Sequence, residues 1–218
     1  MPSGTRSEAL DPEALNLMYL SGQKNVSYAP ESGSPTTLKK IKKKVNIERM
    51  KESMRAAVKK GINVKLNMIM GFPSEGFKEV FETFGFLIRV AFIGVHDVYI
   101  ACFSPYPGSE LFEEVRKSGK IKEMDSEYFL MLTSYSDLRY SVSYSPYLSN
   151  RQLTVCRLGG MVMFYTLSYL LRPARLFKVL SNLIKGKEES RLDLALHNIK
   201  DRIMSKKIRV EDAGLVIK

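Results

Sequence analysis

The chain has 218 residues, 44% of them hydrophobic and 26% charged, which is typical of a folded protein and excludes a largely disordered one. Its net charge of +11 permits an anionic partner, but no basic and aromatic reading motif accompanies the charge, so we do not expect nucleic acid to be the ligand. No apolar segment follows the N-terminus, and we therefore expect a cytoplasmic protein without a signal peptide.

The first half of the sequence alternates between helix and strand patterns. A helix begins after the cap residue Asp11, and a short strand follows at residues 25–28. The basic run 39–44 is interpreted as a solvated face near a helix end rather than as a phosphate-binding patch. The remaining elements are a helix capped by Asn46, a strand at 62–70, a helix capped by Ser74, a strand at 97–103 and a short helix that ends at Gly119.

This alternation predicts a parallel sheet, because the connections between the strands are too long for hairpins. Each strand ends in a turn rich in Gly, Pro, Ser and Glu, and these turns are residues 29–34, 71–75 and 104–109. The carboxyl ends of parallel strands meet at one edge of a sheet, where ligands bind. We therefore expect the three turns to form a single ligand-binding rim.

The composition changes after Lys120, where the strand pattern stops and helical patterns predominate. Residues 158–171 are an uncharged run, shorter than the ~20 residues that span a membrane, and this favours a buried or interfacial helix. Pro173 should break that helix. Residues 172–187 then form a basic amphipathic pattern, which predicts a helix that packs against the main domain or lies on a membrane surface.

The three turns carry a specific resemblance. Tyr-Ala-Pro-Glu-Ser-Gly-Ser at 28–34, Ile-Met-Gly-Phe-Pro-Ser-Glu at 69–75 and Phe-Ser-Pro-Tyr-Pro-Gly-Ser-Glu-Leu at 103–111 follow one another in the order seen in the radical S-adenosylmethionine superfamily. The chain resembles the second half of that family's barrel, and most closely the class that carries an N-terminal cobalamin-binding domain. The resemblance covers about residues 2–130.

The resemblance implies an α/β fold, a partial parallel β/α barrel of the radical S-adenosylmethionine type followed by a mostly α-helical C-terminal extension. It places the half-barrel in residues 1–120 and the extension, with its apolar and basic amphipathic segments, in residues 121–218. An open half-barrel would expose the edge of its first strand. We therefore expect the isolated chain to aggregate or to depend on a partner that supplies the other strands.

The resemblance also implies that the rim binds S-adenosylmethionine. Glu31 is suited to accept hydrogen bonds from ribose hydroxyls or an ammonium group, or else it caps the segment that follows. Asn67, a polar residue in an apolar strand, either faces the ligand or satisfies backbone groups in the core. Gly71 shapes a turn whose backbone would read the adenine edge. The other candidate contacts are Ser32, Ser104, Tyr106 and Arg6, the last of these for the carboxylate of the ligand.

Two further rim residues have simpler interpretations. Gly33 allows either a turn or a close approach of the ligand. Glu75 is interpreted as stabilising the N-terminus of the next helix through the helix dipole.

Cysteine usage limits the functional prediction. The family's chemistry needs a four-iron four-sulfur cluster held by three closely spaced cysteines, and this sequence has only Cys102 and Cys156, in apolar surroundings typical of buried thiols. The resemblance thus implies a fragment of a radical S-adenosylmethionine enzyme that is inactive alone. S-adenosylmethionine, the 4Fe-4S cluster and cobalamin would be cofactors of a longer parent.

The expected partners are a small-molecule or lipid-like substrate and the missing N-terminal half, on the same or a separate chain. Cobalamin-dependent methyl transfer is one reaction that the resemblance permits. An alternative function is a non-catalytic peripheral membrane or partner-binding protein that uses the helix at 172–187 and keeps the half-barrel as a scaffold.

Overall fold

A computed structural model describes residues 10–133, 137, 141–187, 193–194 and 196–198. The candidate residue Arg6 lies outside this part of the chain. Two compact units are present, Met1–Ser168 and Tyr169–Lys218. The domain boundary expected at residue 120 remains a prediction.

The first unit alternates helices and strands as the sequence predicts. Its elements are α1 (Pro12–Leu20), β1 (Asn25–Glu31), α2 (Pro35–Lys40), α3 (Ile47–Lys59), β2 (Asn63–Met70), α4 (Phe77–Ile93), β3 (Asp97–Cys102), α5 (Glu110–Lys117), α6 (Ser126–Thr133) and α7 (Asn150–Leu171), whose last three residues belong to the second unit. The second unit contains α8 (Ala174–Lys185).

Side-chain caps explain where several helices begin. The Asp11 carboxylate accepts from the Ala14 amide at 2.7 Å, and the Asn46 side chain accepts from the Arg49 amide at 3.0 Å, as the sequence predicts. The prediction that Ser74 caps α4 is wrong. That helix begins two residues later than expected, after Gly76, whose amide donates to the Glu79 carboxylate at 2.9 Å.

The three strands form one parallel sheet in the order β1-β2-β3. This confirms the α/β class and is consistent with a partial radical S-adenosylmethionine barrel. One face of the sheet is apolar and buried, and it carries Val26, Tyr28, Val64, Leu66, Met68, Met70, Val98 and Ile100. Helices α3 and α4 contribute Met50, Met54, Val80, Phe86 and Leu87 to the same core.

The opposite face of the sheet carries polar residues in its first rows, whereas Ile69 and Ala101 pair in the row that follows. Ser27, Lys65 and Asp97 are register neighbours across the three strands, and Asn67 lies beside Tyr99 in the next row. Parallel sheets covered by helices on both faces are apolar on both. A second face that carries polar residues is consistent with the wall of a barrel.

Helix α7 is anchored to β3 by side chains. Arg157 donates through Nε to the Ile100 carbonyl at 3.2 Å, and the Tyr165 hydroxyl donates to the Val98 carbonyl at 3.3 Å and to the Asp97 carboxylate. By contrast, no strand within the described residues pairs with the outer edge of β1.

By length and composition, α7 is the one described helix that could cross a membrane. It is longer than the uncharged run 158–171 because it begins at Asn150. Its residues Leu153 and Phe164 are fully buried in the main core, whereas Val155 and Val162 are exposed. One face of the helix is thus part of the core of the first unit.

Candidate functional site

The buried carboxylate of Glu75 joins the first two turns of the rim. Its Oε2 accepts from the backbone amides of Gly71 at 2.7 Å and Phe72 at 3.2 Å. Its Oε1 accepts from the hydroxyls of Thr37 at 3.1 Å and Ser32 at 3.4 Å. The side chain thereby ties the turn that follows β1 to the turn that follows β2.

This arrangement corrects the interpretation of Glu75 as a helix-dipole partner. The residue is 1% exposed, and its hydrogen bonds go to the two turns and to Thr37 on α2 instead of the first turn of α4. Burial raises the pKa of the Glu75 carboxyl above its ordinary value, and the hydrogen bonds from Gly71, Phe72, Thr37 and Ser32 oppose that rise. Sequence spacing does not reveal the role because Thr37 is 38 positions away.

Gly33 brings the first turn against α4. Its amide donates to the Thr83 hydroxyl at 3.2 Å. A Cβ at this position would lie 2.5 Å from the Phe86 Cβ and 2.8 Å from the Thr83 Cα. The close approach that requires glycine is therefore made to a helix of the same chain.

Glu31 stands at the rim in an unusual backbone conformation. Its φ is +71°, and the β1–β2 register shifts between Tyr28 and Glu31. Such conformations cost on the order of 1–3 kcal/mol in non-glycine residues and concentrate at functional sites. The Glu31 carboxylate pairs with Lys43 Nζ at 2.9 Å and keeps part of its surface open to solvent.

The alternative role of Glu31, capping the next segment, is filled by another residue. Ser34 is the N-cap of α2, and its hydroxyl accepts from the Thr37 amide at 3.3 Å. The Glu31 side chain instead points to Lys43. Its partly exposed carboxylate is an acceptor at the rim, which suits a ribose diol or an ammonium group.

Ser32 is fully buried, and its hydroxyl is engaged on every side. It contacts the Glu75 carboxylate and, at 3.2 Å, the Thr83 hydroxyl, and it accepts from the Ser34 amide at 3.1 Å. In this structure Ser32 supports the turn and presents no surface to a ligand. Its predicted contact with S-adenosylmethionine remains a prediction.

Asn67 and Gly71 lie at different levels of β2. Asn67 is half-buried on the polar face, in register with Tyr99. Gly71 follows the strand with φ +90°, and a Cβ there would lie 2.6 Å from Leu153 Cδ2 on α7. The amides of Gly71 and Phe72 already donate to Glu75. Hydrogen bonds from this turn to an adenine edge would therefore involve its other backbone groups.

The third turn is held by one local and one long-range hydrogen bond. Ser104 is half-buried and Tyr106 is 54% exposed. The Tyr106 carbonyl accepts from the Ser109 hydroxyl at 2.8 Å, and the Pro105 carbonyl accepts from the Tyr128 hydroxyl. The turn is joined to its neighbour through the rings of Phe72 and Phe103, whose centroids are 5.2 Å apart.

A groove of about 410 Å³ borders the second turn, and no sequence pattern predicts it. Pro73 and Ser74 line one wall, and Lys40, Lys120 and Tyr144 line others. Lys120 Nζ donates to the Ser145 carbonyl at 2.6 Å, and burial lowers the pKa of its ammonium group. Burial raises the pKa of Tyr144 to about 12, so its phenol is neutral and can donate.

The described residues do not fit an iron–sulfur cluster. No group of three or more His, Cys, Asp or Glu side chains within them is arranged to hold a metal. Cys102 is buried and its Sγ donates to the Val142 carbonyl at 3.2 Å, while Cys156 is half-buried on α7. Burial raises the pKa of both thiols, which disfavours the thiolate that a cluster requires.

Comparison with known proteins agrees with the motifs of the rim. Residues 2–87 match the family model described as "Radical SAM superfamily". The cytidylyl-2-hydroxyethylphosphonate methyltransferase of Streptomyces wedmorensis is 32% identical over 134 residues. That match covers 58% of this chain and 24% of the relative, so the shared region is about a quarter of the relative's length. The predicted resemblance to the radical S-adenosylmethionine superfamily is thereby confirmed over residues 2–87.

Proposed function

We propose that this chain forms the nucleotide-binding side of a radical S-adenosylmethionine active site whose cluster ligands lie on other polypeptide sequence. The observation that carries the proposal is the fixed rim, in which Glu75 holds two strand-end turns together beside the strained, partly exposed Glu31. A rim held in this way presents its acceptors without further ordering when the ligand arrives.

Each rim residue has a defined part in the proposal. Glu31 accepts hydrogen bonds from the ribose hydroxyls, and Lys43 orients its carboxylate. Asn67 offers both a donor and an acceptor from the polar face of the sheet. Ser104 and Tyr106 contact the ligand from the third turn. This chain's residues bind and orient the nucleoside of S-adenosylmethionine, and a cluster held by other sequence would supply the radical chemistry.

The polar face of the sheet supports a complete barrel in the active protein. Three half-buried polar residues lie on one face of the sheet, namely Lys65, Asn67 and Tyr99. A face of a parallel sheet that helices cover is normally apolar. We propose that strands from the rest of a longer protein, on the same or a separate chain, pair with the outer edge of β1 and close this lumen. In this reading the present chain is a fragment that is inactive alone.

For the complete protein we propose methyl transfer to a small or lipid-like substrate, with cobalamin as a further cofactor. The name of the Streptomyces wedmorensis relative supports the methyl-transfer class. The cobalamin assignment rests on the resemblance of the three turns to the cobalamin-dependent members of the family.

The rim assignment predicts the effect of one substitution on ligand affinity. Glu31→Gln should weaken S-adenosylmethionine binding to the 218-residue chain by about 10- to 100-fold, because a charge-assisted hydrogen bond contributes roughly 1.5–3 kcal/mol. Equilibrium dialysis with labelled S-adenosylmethionine measures the change.

Glu110→Gln provides the matched control. Glu110 also pairs with a lysine, Lys42 at 2.6 Å, but it is exposed on α5. This variant should bind S-adenosylmethionine as the unchanged chain does. Equal affinities of the Glu31 and Glu110 variants, or no binding by the unchanged chain, would contradict the assignment of Glu31 to the ribose.

A further inference from the structure

Helix α8 has one buried face and one exposed face. One face carries Val179 and Asn182, which are buried, and the Asn182 amide donates to the Asp193 carboxylate at 3.2 Å. This face is therefore packed within the second unit. The other face is exposed and apolar, and we call it the α8 stripe: Leu176, Phe177, Leu180 and Ile184.

The α8 stripe is continuous and strongly exposed. Its four residues fall within about 100° of the helix circumference, given 3.6 residues per turn. Phe177 is 71% and Ile184 is 83% exposed, and both Leu176 and Leu180 are nearly half exposed. Contiguous exposed side chains of this size mark a surface that contacts another apolar phase.

The surroundings of the stripe are positively charged. Residues 138–187 contain no Asp or Glu. The basic residues on and next to α8 are Arg172, Arg175, Lys178, Lys185 and Lys187. Burial and the neighbouring Arg172 lower the pKa of Arg175 to about 10, which leaves it cationic at neutral pH.

The positive charge around the stripe favours an anionic membrane over a second copy of this chain as its partner. Two copies of α8 that met through their stripes would gather ten cations around one interface, with no Asp or Glu from residues 138–187 to offset them, and like charges repel. An anionic bilayer surface instead attracts each lysine or arginine by about 1 kcal/mol and accepts an apolar stripe at the boundary of headgroups and acyl chains.

We propose that α8 docks this protein onto an anionic membrane surface, with the α8 stripe in the interfacial layer and the flanking lysines at the lipid phosphates. The proposal goes beyond the S-adenosylmethionine site and does not depend on it. Lys178 and Lys185 lie within about 100° of Phe177 on the helical wheel, on one flank of the stripe, and their long side chains extend toward the phosphates when the ring is inserted.

The sequence lacks tryptophan, which permits a unique fluorescent reporter. Phe177→Trp places an indole on the stripe, and Phe81→Trp places one on α4, where Phe81 is 64% exposed. On addition of phosphatidylglycerol-containing vesicles, the emission of the first variant should shift to the blue, whereas that of the second should not move. A shift in neither or in both variants would overturn the proposal.

Vesicle flotation tests the same surface without a reporter, and it separates bound protein from aggregates, which do not float. The triple variant Phe177→Ser, Leu180→Ser, Ile184→Ser should no longer float with phosphatidylcholine–phosphatidylglycerol vesicles. Each of Lys178→Gln, Lys185→Gln and Lys187→Gln should weaken binding by about fivefold, and pure phosphatidylcholine vesicles should bind the unchanged chain far less.

A charge-matched control removes three lysines from other helices. This control combines Lys59→Gln, Lys78→Gln and Lys117→Gln. It lowers the net charge by as much as Lys178→Gln, Lys185→Gln and Lys187→Gln do when they are combined. Flotation of this control should equal that of the unchanged chain. If the control lost flotation to the same extent as the α8 lysine variants, membrane binding would depend on the overall charge. If the unchanged chain were a dimer and the serine variant a monomer, the stripe would contact a second copy. Either result would overturn the proposal.

Discussion

Replacing Glu75 by alanine should lower the free energy of unfolding by about 2–5 kcal/mol, because the buried amides of Gly71 and Phe72 would lose their acceptor and each unpaired group costs roughly 1–3 kcal/mol. The loss should also separate the two turns, since Thr37 and Ser32 bond to the same carboxylate. Urea unfolding followed by circular dichroism measures the effect.

Two controls distinguish the network from a simple charge effect. Glu75→Gln keeps an oxygen that accepts from the amides, so its cost should be about 0.5–1.5 kcal/mol, the net contribution of one ordinary hydrogen bond. Glu79→Ala removes a carboxylate that also accepts a backbone amide, from Gly76, but at the surface, so it should cost about 0.5–2 kcal/mol as a lost cap. Similar losses in Glu75→Ala and Glu79→Ala would contradict the hub role of Glu75.

The comparison with Glu75→Gln also has a definite pH dependence. Because burial raises the pKa of Glu75 in the folded chain, the folded state retains a proton that the unfolded state has released. The contribution of this group to stability is fully present below the ordinary carboxyl pKa and is lost as the pH rises through the folded value. The unchanged chain should therefore lose stability relative to Glu75→Gln as the pH rises above the ordinary carboxyl range.

Replacing Arg157 by methionine should cost about 2–5 kcal/mol in the free energy of unfolding. The guanidinium is 1% exposed, and it donates to the Ile100 carbonyl at 3.2 Å, the Asp137 carbonyl at 3.2 Å and the Ser141 hydroxyl at 2.6 Å. Methionine fills the space but leaves these buried acceptors unpaired, at roughly 1–3 kcal/mol each before any relaxation. Urea unfolding again gives the value.

Arg151→Met is the control on the same helix, because Arg151 is exposed at the start of α7. It should change the free energy of unfolding by less than about 0.5 kcal/mol, as surface substitutions do. Arg157→Lys keeps the charge but lacks the planar fork, so its cost should lie between the two. A tolerated Arg157→Met would show that α7 does not need this anchor on β3.

The sheet could be predicted from the sequence because its signals are local. Apolar runs, the Asp11 and Asn46 caps and the polar turns between them specify parallel strands whose ends meet, and the structure has these strands. The rim motifs were likewise contiguous, so their family resemblance was visible without coordinates.

The roles of individual side chains could not be predicted from the sequence in the same way, because they depend on partners that are distant along the chain. Ser32 was expected to contact a ligand, yet its hydroxyl is enclosed by Glu75 and Thr83, 43 and 51 positions away. Arg157 directly precedes the uncharged run 158–171 in the sequence, yet it is a buried anchor of α7. A charged side chain next to an apolar run can be predicted to be buried only when its hydrogen-bond acceptors are known. The acceptors of Arg157 come from β3 and from the segment before α7.

The central claim, that this chain holds the nucleoside and not the cluster side of S-adenosylmethionine, can be tested with a ligand that needs no cluster. Saturation-transfer NMR of S-adenosylhomocysteine with the 218-residue chain reports which ligand protons contact the protein. We predict strong transfer to the adenine and ribose protons, weak transfer to the homocysteine protons, and loss of the ribose signal in Glu31→Gln. No transfer at all, or transfer strongest at the homocysteine end, would contradict this assignment.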